Sequence, residues 1–136
     1  MLSYNTFDLE SHTNAFLHFF FTPEFAYMKK LTTKVDVFSF GIIMMEFITR
    51  KRPTDVLTEE EGIQITLPQL IDQTLSNGIN ELIEIVDPDL ASNFSTKQSV
   101  IEQLLKLALY CTKMNPEDRP DMNEVLSSLS KIHKNV

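Results

Sequence analysis

Few residues in this chain carry chemistry of their own, and their spacing limits what they could do. Cys111 is the only cysteine, so no internal disulfide can form. It lies in the run LLKLALYC, with no activating base beside it. A thiol in that setting reads as a small buried hydrophobe rather than a nucleophile. His12 and His18 have no third ligand nearby and give only a weak metal signal. Asp55, Glu59, Glu60 and Glu61 crowd the stretch before Gly62. The alternating spacing and internal glycine of a calcium loop are missing there, so these carboxylates read as a solvated acidic loop. The sequence contains no nucleophile elbow, no zinc spacing and no dinucleotide glycine motif. Carboxylates are plentiful, but without a defined pocket they imply no general acid–base role.

Composition narrows the class. At 136 residues the chain has the length of one ordinary domain, and 43% hydrophobic with 23% charged residues is ordinary for a globular protein. Three glycines leave almost no room for a Gly-rich phosphate loop. A net charge of -7 argues against a general nucleic-acid binder, which needs a basic footprint. One cysteine fits a reducing compartment. The apolar run Ala15–Phe21 is preceded by Asp8 and Glu10 rather than by basic residues, and no small-residue cleavage site follows it. It therefore does not read as a signal peptide. No stretch reads as a membrane span, which needs about 20 predominantly apolar residues.

The elements that would position any site are mostly helical. KVDVFSFGIIMMEFITR is apolar on every face after Asp36, the pattern of a helix wrapped by other elements. The expected helix covers 36–50, with Asp36 as N-cap, Arg50, Lys51 and Arg52 at its C-terminal end, and Pro53 as its stop. If neighbouring elements were missing, its phenylalanines and methionines would form an exposed apolar patch. Residues 22–35 read as a turn, a short helical piece and a loop, with Lys29, Lys30 and Lys34 as a solvated basic spot. An acidic loop is expected over 53–66. A helix is expected over about 67–77, stopped by Asn77-Gly78. ELIEIVD alternates like a strand but reads as a short helical turn or extended connector ending at Pro88. A second strongly apolar helix is expected over 97–113. The last helix, over about 121–133, opens on a capping box of Asp121 and Glu124 and carries Met122, Val125, Leu126, Leu129 and Ile132 on one stripe. His133 near its end offsets the helix dipole. Residues 1–21 end in the aromatic cluster Phe16, Phe19, Phe20 and Phe21 without a clean period, and read as a poorly ordered leader.

Three motifs in order then carry a resemblance: Pro23-Glu24-Phe25, DVFSFGIIMMEFITRKRPTD over 36–55, and LALYCTKMNPEDRPDMNEVL over 107–126. Residues 22–134 resemble the last third of a protein kinase domain, and more closely that of plant leucine-rich-repeat receptor-like serine/threonine kinases, including the flagellin-sensing branch. Residues 1–21 do not share the likeness. The resemblance implies a mainly α fold, the helical portion of the C-terminal lobe, with the N-lobe absent. Thr22-Pro23-Glu24 matches the family's Ala-Pro-Glu motif, with threonine for alanine. Asp36 and Gly41 match the Asp-x-x-x-x-Gly of its central helix, whose aspartate holds the catalytic loop. Arg119 matches the arginine that pairs with the motif glutamate. A Glu24–Arg119 pair is thus implied, and losing one partner of such a buried pair would cost about 3–5 kcal/mol.

Pro23, Glu24, Asp36, Gly41 and Arg119 are structural positions; no catalytic, cofactor-binding or metal-binding residue is expected. The family uses ATP and magnesium through a Gly-rich loop, a strand lysine, His-Arg-Asp…Asn and Asp-Phe-Gly. None of these occurs in the sequence. The expectation is a receptor-kinase fragment that is catalytically inactive as this chain and binds no cofactor. The resemblance places it on the cytoplasmic side, the family's membrane anchor lying outside the sequence. The alternative is a non-catalytic interaction module that competes for the partners of an intact receptor kinase. A chance likeness would instead leave Glu24 and Arg119 far apart.

Overall fold

A computed structural model describes residues 32–53, 57–58 and 64–136. Helix α1 (Lys34–Thr49) lies against the longest helix, α5 (Phe94–Cys111), and this pair is the axis of the fold. Between them come strands β1 (Leu57–Thr58) and β2 (Gln64–Ile65), then α2 (Leu67–Asn77), α3 (Ile79–Ile85) and the single turn α4 (Pro88–Ala91). After α5 a 3-10 turn (Pro116–Asp118) leads to α6 (Met122–Lys134). The fold is mainly helical, as the pattern of apolar spacing predicts. The strands pair antiparallel, Leu57 with Ile65 and Thr58 with Gln64, and close part of the segment expected as an acidic loop.

Local chemistry sets the helix ends. Thr66 accepts from the Gln69 N–H and its own N–H donates to the Gln69 side chain, a capping box with Pro68 in the first turn of α2. Gly78 ends α2 at φ 114, a backbone state that strains any residue with a Cβ. Asp121 and Glu124 exchange the two bonds of the expected capping box, each 2.8 Å, at the start of α6. ELIEIVD proves helical through Ile85, so the alternation in that run does not make a strand.

Two helix starts differ from the sequence reading. Asp36 is not the N-cap of α1. Thr33 holds that place, and the Asp36 N–H donates to the Thr33 carbonyl at 3.2 Å, so the helical bonding starts before Asp36. Asp36 instead sits in the first turn, where its charge still suits the dipole. Helix α5 begins at Phe94, ahead of the expected start, and buried Phe94 ties its first turn into the larger core.

The core has two parts joined by α1 and α5. Met45, Ile48, Leu67, Ile71, Leu82, Val86, Phe94, Ile101, Leu105 and Ala108 form the larger one. Val37, Leu107, Cys111, Val125 and Ile132 form the smaller one, which seats α6. Each fully buried side chain of this kind contributes about 1.5–3 kcal/mol.

Candidate functional site

Two arginines fix the two ends of α1, and the first of them, Arg119, is a family-motif position. Arg119 follows the 3-10 turn and is only 2% exposed. A guanidinium has five donors and no acceptor, so burial requires several oxygens around it. Its Nε donates to the Lys113 carbonyl at 2.8 Å, Nη1 to the Lys34 carbonyl at 3.0 Å, and Nη2 to the Met114 carbonyl at 3.4 Å. At least one further contact completes its surroundings. The guanidinium also lies 4.8 Å from the centre of the Phe38 ring, within cation–π range. Lys34 returns the bond, its Nζ donating to the Arg119 carbonyl at 2.6 Å. The start of α1 and the segment before α6 are thus clamped reciprocally. Lys34, expected as part of a solvated basic spot, is half-buried in this clamp, because its ammonium finds a carbonyl that the fold would otherwise bury unpaired.

Gly41 sits one turn further on, where α1 crosses the end of α5. A Cβ there would stand 2.8 Å from the Ala108 carbonyl oxygen, 2.8 Å from Cys111 Cβ and 2.8 Å from Thr112 Cγ2. Only a residue without a side chain lets the helices approach this closely. Asp36 is exposed on the first turn of α1 and meets solvent rather than a buried cavity. Pro23 and Glu24 lie outside the described residues, and with them the implied pairing of Glu24 with Arg119. His12, His18, Lys29, Lys30 and the carboxylates Asp55, Glu59, Glu60 and Glu61 also lie outside them.

At the other end of α1, Arg50 closes the helix in the left-handed region, at φ 57 and ψ 11. A non-glycine residue there costs about 1–2 kcal/mol. The strain is offset by pairing. Arg50 Nε meets Asp87 Oδ2 at 2.7 Å and Nη2 meets Asp89 Oδ2 at 3.2 Å. Asp87 is buried, donates its N–H to the Ile48 carbonyl at 2.8 Å, and caps α4 by accepting the Asp89 N–H at 2.9 Å. The sequence reading missed this link, although Asp87-Pro88 is a recognisable helix start.

Between these ends α1 turns an apolar row outward. Ile43 is 44% exposed and Phe47 81% exposed. They line a groove of about 410 Å³ with Glu46, Arg50 and Asp87, and an apolar hollow of about 300 Å³ with Met44, Ile48 and Leu104. Among the described residues, the wrapping expected from an all-round apolar helix is therefore incomplete on this side. Cys111 is fully buried in the smaller core, and burial pushes its thiol up to about 11, which keeps it protonated and unreactive at neutral pH. No group of three or more histidine, cysteine, aspartate or glutamate side chains that could hold a metal ion occurs among the described residues. Among them, too, no helix is long and apolar enough to cross a membrane. Among the described residues the arrangement holds a helix by both ends and leaves its outer row exposed.

Comparison with known proteins gives a consistent result. The family model of the protein kinase domain matches residues 6–129, starting upstream of the motifs that begin at Thr22. The chain is similar to the LRR receptor-like serine/threonine-protein kinase ERECTA of Arabidopsis thaliana, 35% identical over 126 residues, which are 90% of this chain and 12% of that protein. It is similar to the LRR receptor-like serine/threonine-protein kinase GSO1 of the same plant, 32% identical over 116 residues, 85% of this chain and 9% of that protein. A third relative, the probable inactive receptor kinase At1g48480 of Arabidopsis thaliana, is 30% identical over 110 residues, 81% of this chain and 16% of that protein. The chain thus spans between 9% and 16% of the length of these relatives.

Proposed function

The chain belongs to the protein kinase domain family, and we propose on that premise that it is a scaffold portion of a receptor-like serine/threonine kinase, catalytically inactive as this 136-residue chain. The observation that carries the reading is what surrounds the motif arginine. Arg119, Lys34, Phe38 and Gly41 all act on backbone and helix packing, and none is placed to meet a phosphate or a hydroxyl. ATP and magnesium, which the family uses, do not fit the residues present. Phosphoryl transfer needs metal-holding carboxylates, a phosphate-cradling loop and a base for the acceptor hydroxyl. The sequence has neither His-Arg-Asp nor Asp-Phe-Gly. Of its three glycines, Gly41 is packed into a helix crossing and Gly78 ends α2. By this reading the family activity, with its cytoplasmic setting beneath a membrane anchor, belongs to the longer relatives. The test is a melt of the purified chain with and without ATP and magnesium, alongside a phosphorylation assay on a generic protein substrate. The expected result is an unchanged melting temperature and no phosphate transfer. A shift of several degrees would overturn it, because ligand at 100 times its Kd stabilises by about 2.7 kcal/mol.

A second reading is favoured by the open row of α1. Ile43 and Phe47 would seat a surface of an intact receptor kinase or of its signalling partners, and the free chain would compete for that contact. Capture of a full-length relative by the chain, lost on Phe47→Glu, is the expected result. Equal capture by both forms, or none above background, would remove this reading.

A further inference from the structure

We draw no further inference here: the strongest candidate, the groove between the outer row of α1 and the segment at Asp87, belongs to the exposed face already described, and nothing in the structure shows what covers it.

Discussion

The two sides of α1 both carry large apolar residues, and these have opposite fates. Val37, Gly41, Met45 and Ile48 recur at spacings of four, four and three and are buried, Gly41 tight against the end of α5. Asp36, Ile43, Phe47 and Arg50 recur at seven, four and three and are exposed. Residue type separates the rows only at their ends, where the outer row is charged at Asp36 and Arg50; between them isoleucine occurs in both rows and the most exposed hydrophobe on the helix is a phenylalanine. Geometry separates them. The inner row includes the one position without a side chain, which lets a second helix come close; the outer row has a bulky ring where no described element lies. The inner side therefore supplies stability and the outer side supplies unspent apolar surface.

The clamp at the start of α1 gives the largest expected effect. Arg119→Ala removes the donor to three carbonyls and leaves a void beneath Phe38. The expected loss is about 4 kcal/mol, read from urea unfolding. Arg50→Ala at the other end should cost less, about 1–2 kcal/mol, because Arg50 itself is mostly exposed and alanine bears the same left-handed strain, while the buried Asp87 loses its cation but keeps the Asp89 N–H. Equal losses for the two arginines would show that burial does not distinguish them.

Gly41→Ala tests the inner row directly. The new methyl meets a backbone carbonyl, a Cβ and a methyl, each at 2.8 Å, and none is the far end of a flexible side chain. Alanine is the better helix former by about 1 kcal/mol, so propensity alone predicts stabilisation. Overpacking costs about 1–3 kcal/mol, and the expected net is a loss of about 2 kcal/mol in the same unfolding assay. A stabilised variant would mean that the crossing is looser than the inner row requires.

How much of this was legible beforehand follows the range of each interaction. Helix α2 and the Asp121–Glu124 box rest on neighbours a few residues apart, and the sequence pattern reads them directly. The places of Gly41 and Arg119 in a known motif were visible through resemblance, but what each touches was not. The Lys34–Arg119 exchange joins residues 85 apart in the chain, and the Arg50–Asp89 bond joins residues 39 apart. No local period encodes such a pairing, so Lys34 looked like one member of a charge cluster. The outer row of α1 shows a related limit: the apolar pattern alone implies wrapping, and the exposed patch follows only from missing neighbours, because a pattern records what a residue prefers and not whether a neighbour is present to satisfy it.

The thiol at the inner crossing gives a smaller effect, confined to alkaline pH. Its pKa is pushed up from 9.0 to about 11 by desolvation, so the fold favours the protonated form. The unfolded chain loses this proton first as pH rises. The stabilisation is complete below pH 9, falls between about 9 and 11, and does not change further above that. Cys111→Ala should remove this component of the slope while leaving the other alkaline titrations in place, so the difference between the two unfolding curves isolates the thiol. Parallel curves across that window would mean that water reaches Cys111 and that the inner side is not sealed.

The outer row should give the smallest change in stability and the sharpest reading of the contrast. Phe47 is 81% exposed, so Phe47→Ser forfeits little buried area and should stay within about 0.5 kcal/mol of the parent. Met45→Ser, two residues away and fully buried, should cost several kcal/mol, because it leaves both a cavity and a buried hydroxyl. The parent chain should bind a hydrophobic dye in plain buffer, and Phe47→Ser should bind less of it, since the ring is the largest apolar group on that side. If Phe47→Ser instead destabilised by more than about 1 kcal/mol with no loss of dye binding, the ring would be covered in solution, because a side chain contributes to folding only through the surface it removes from water. The two sides of α1 would then differ in what covers them rather than in whether they are covered.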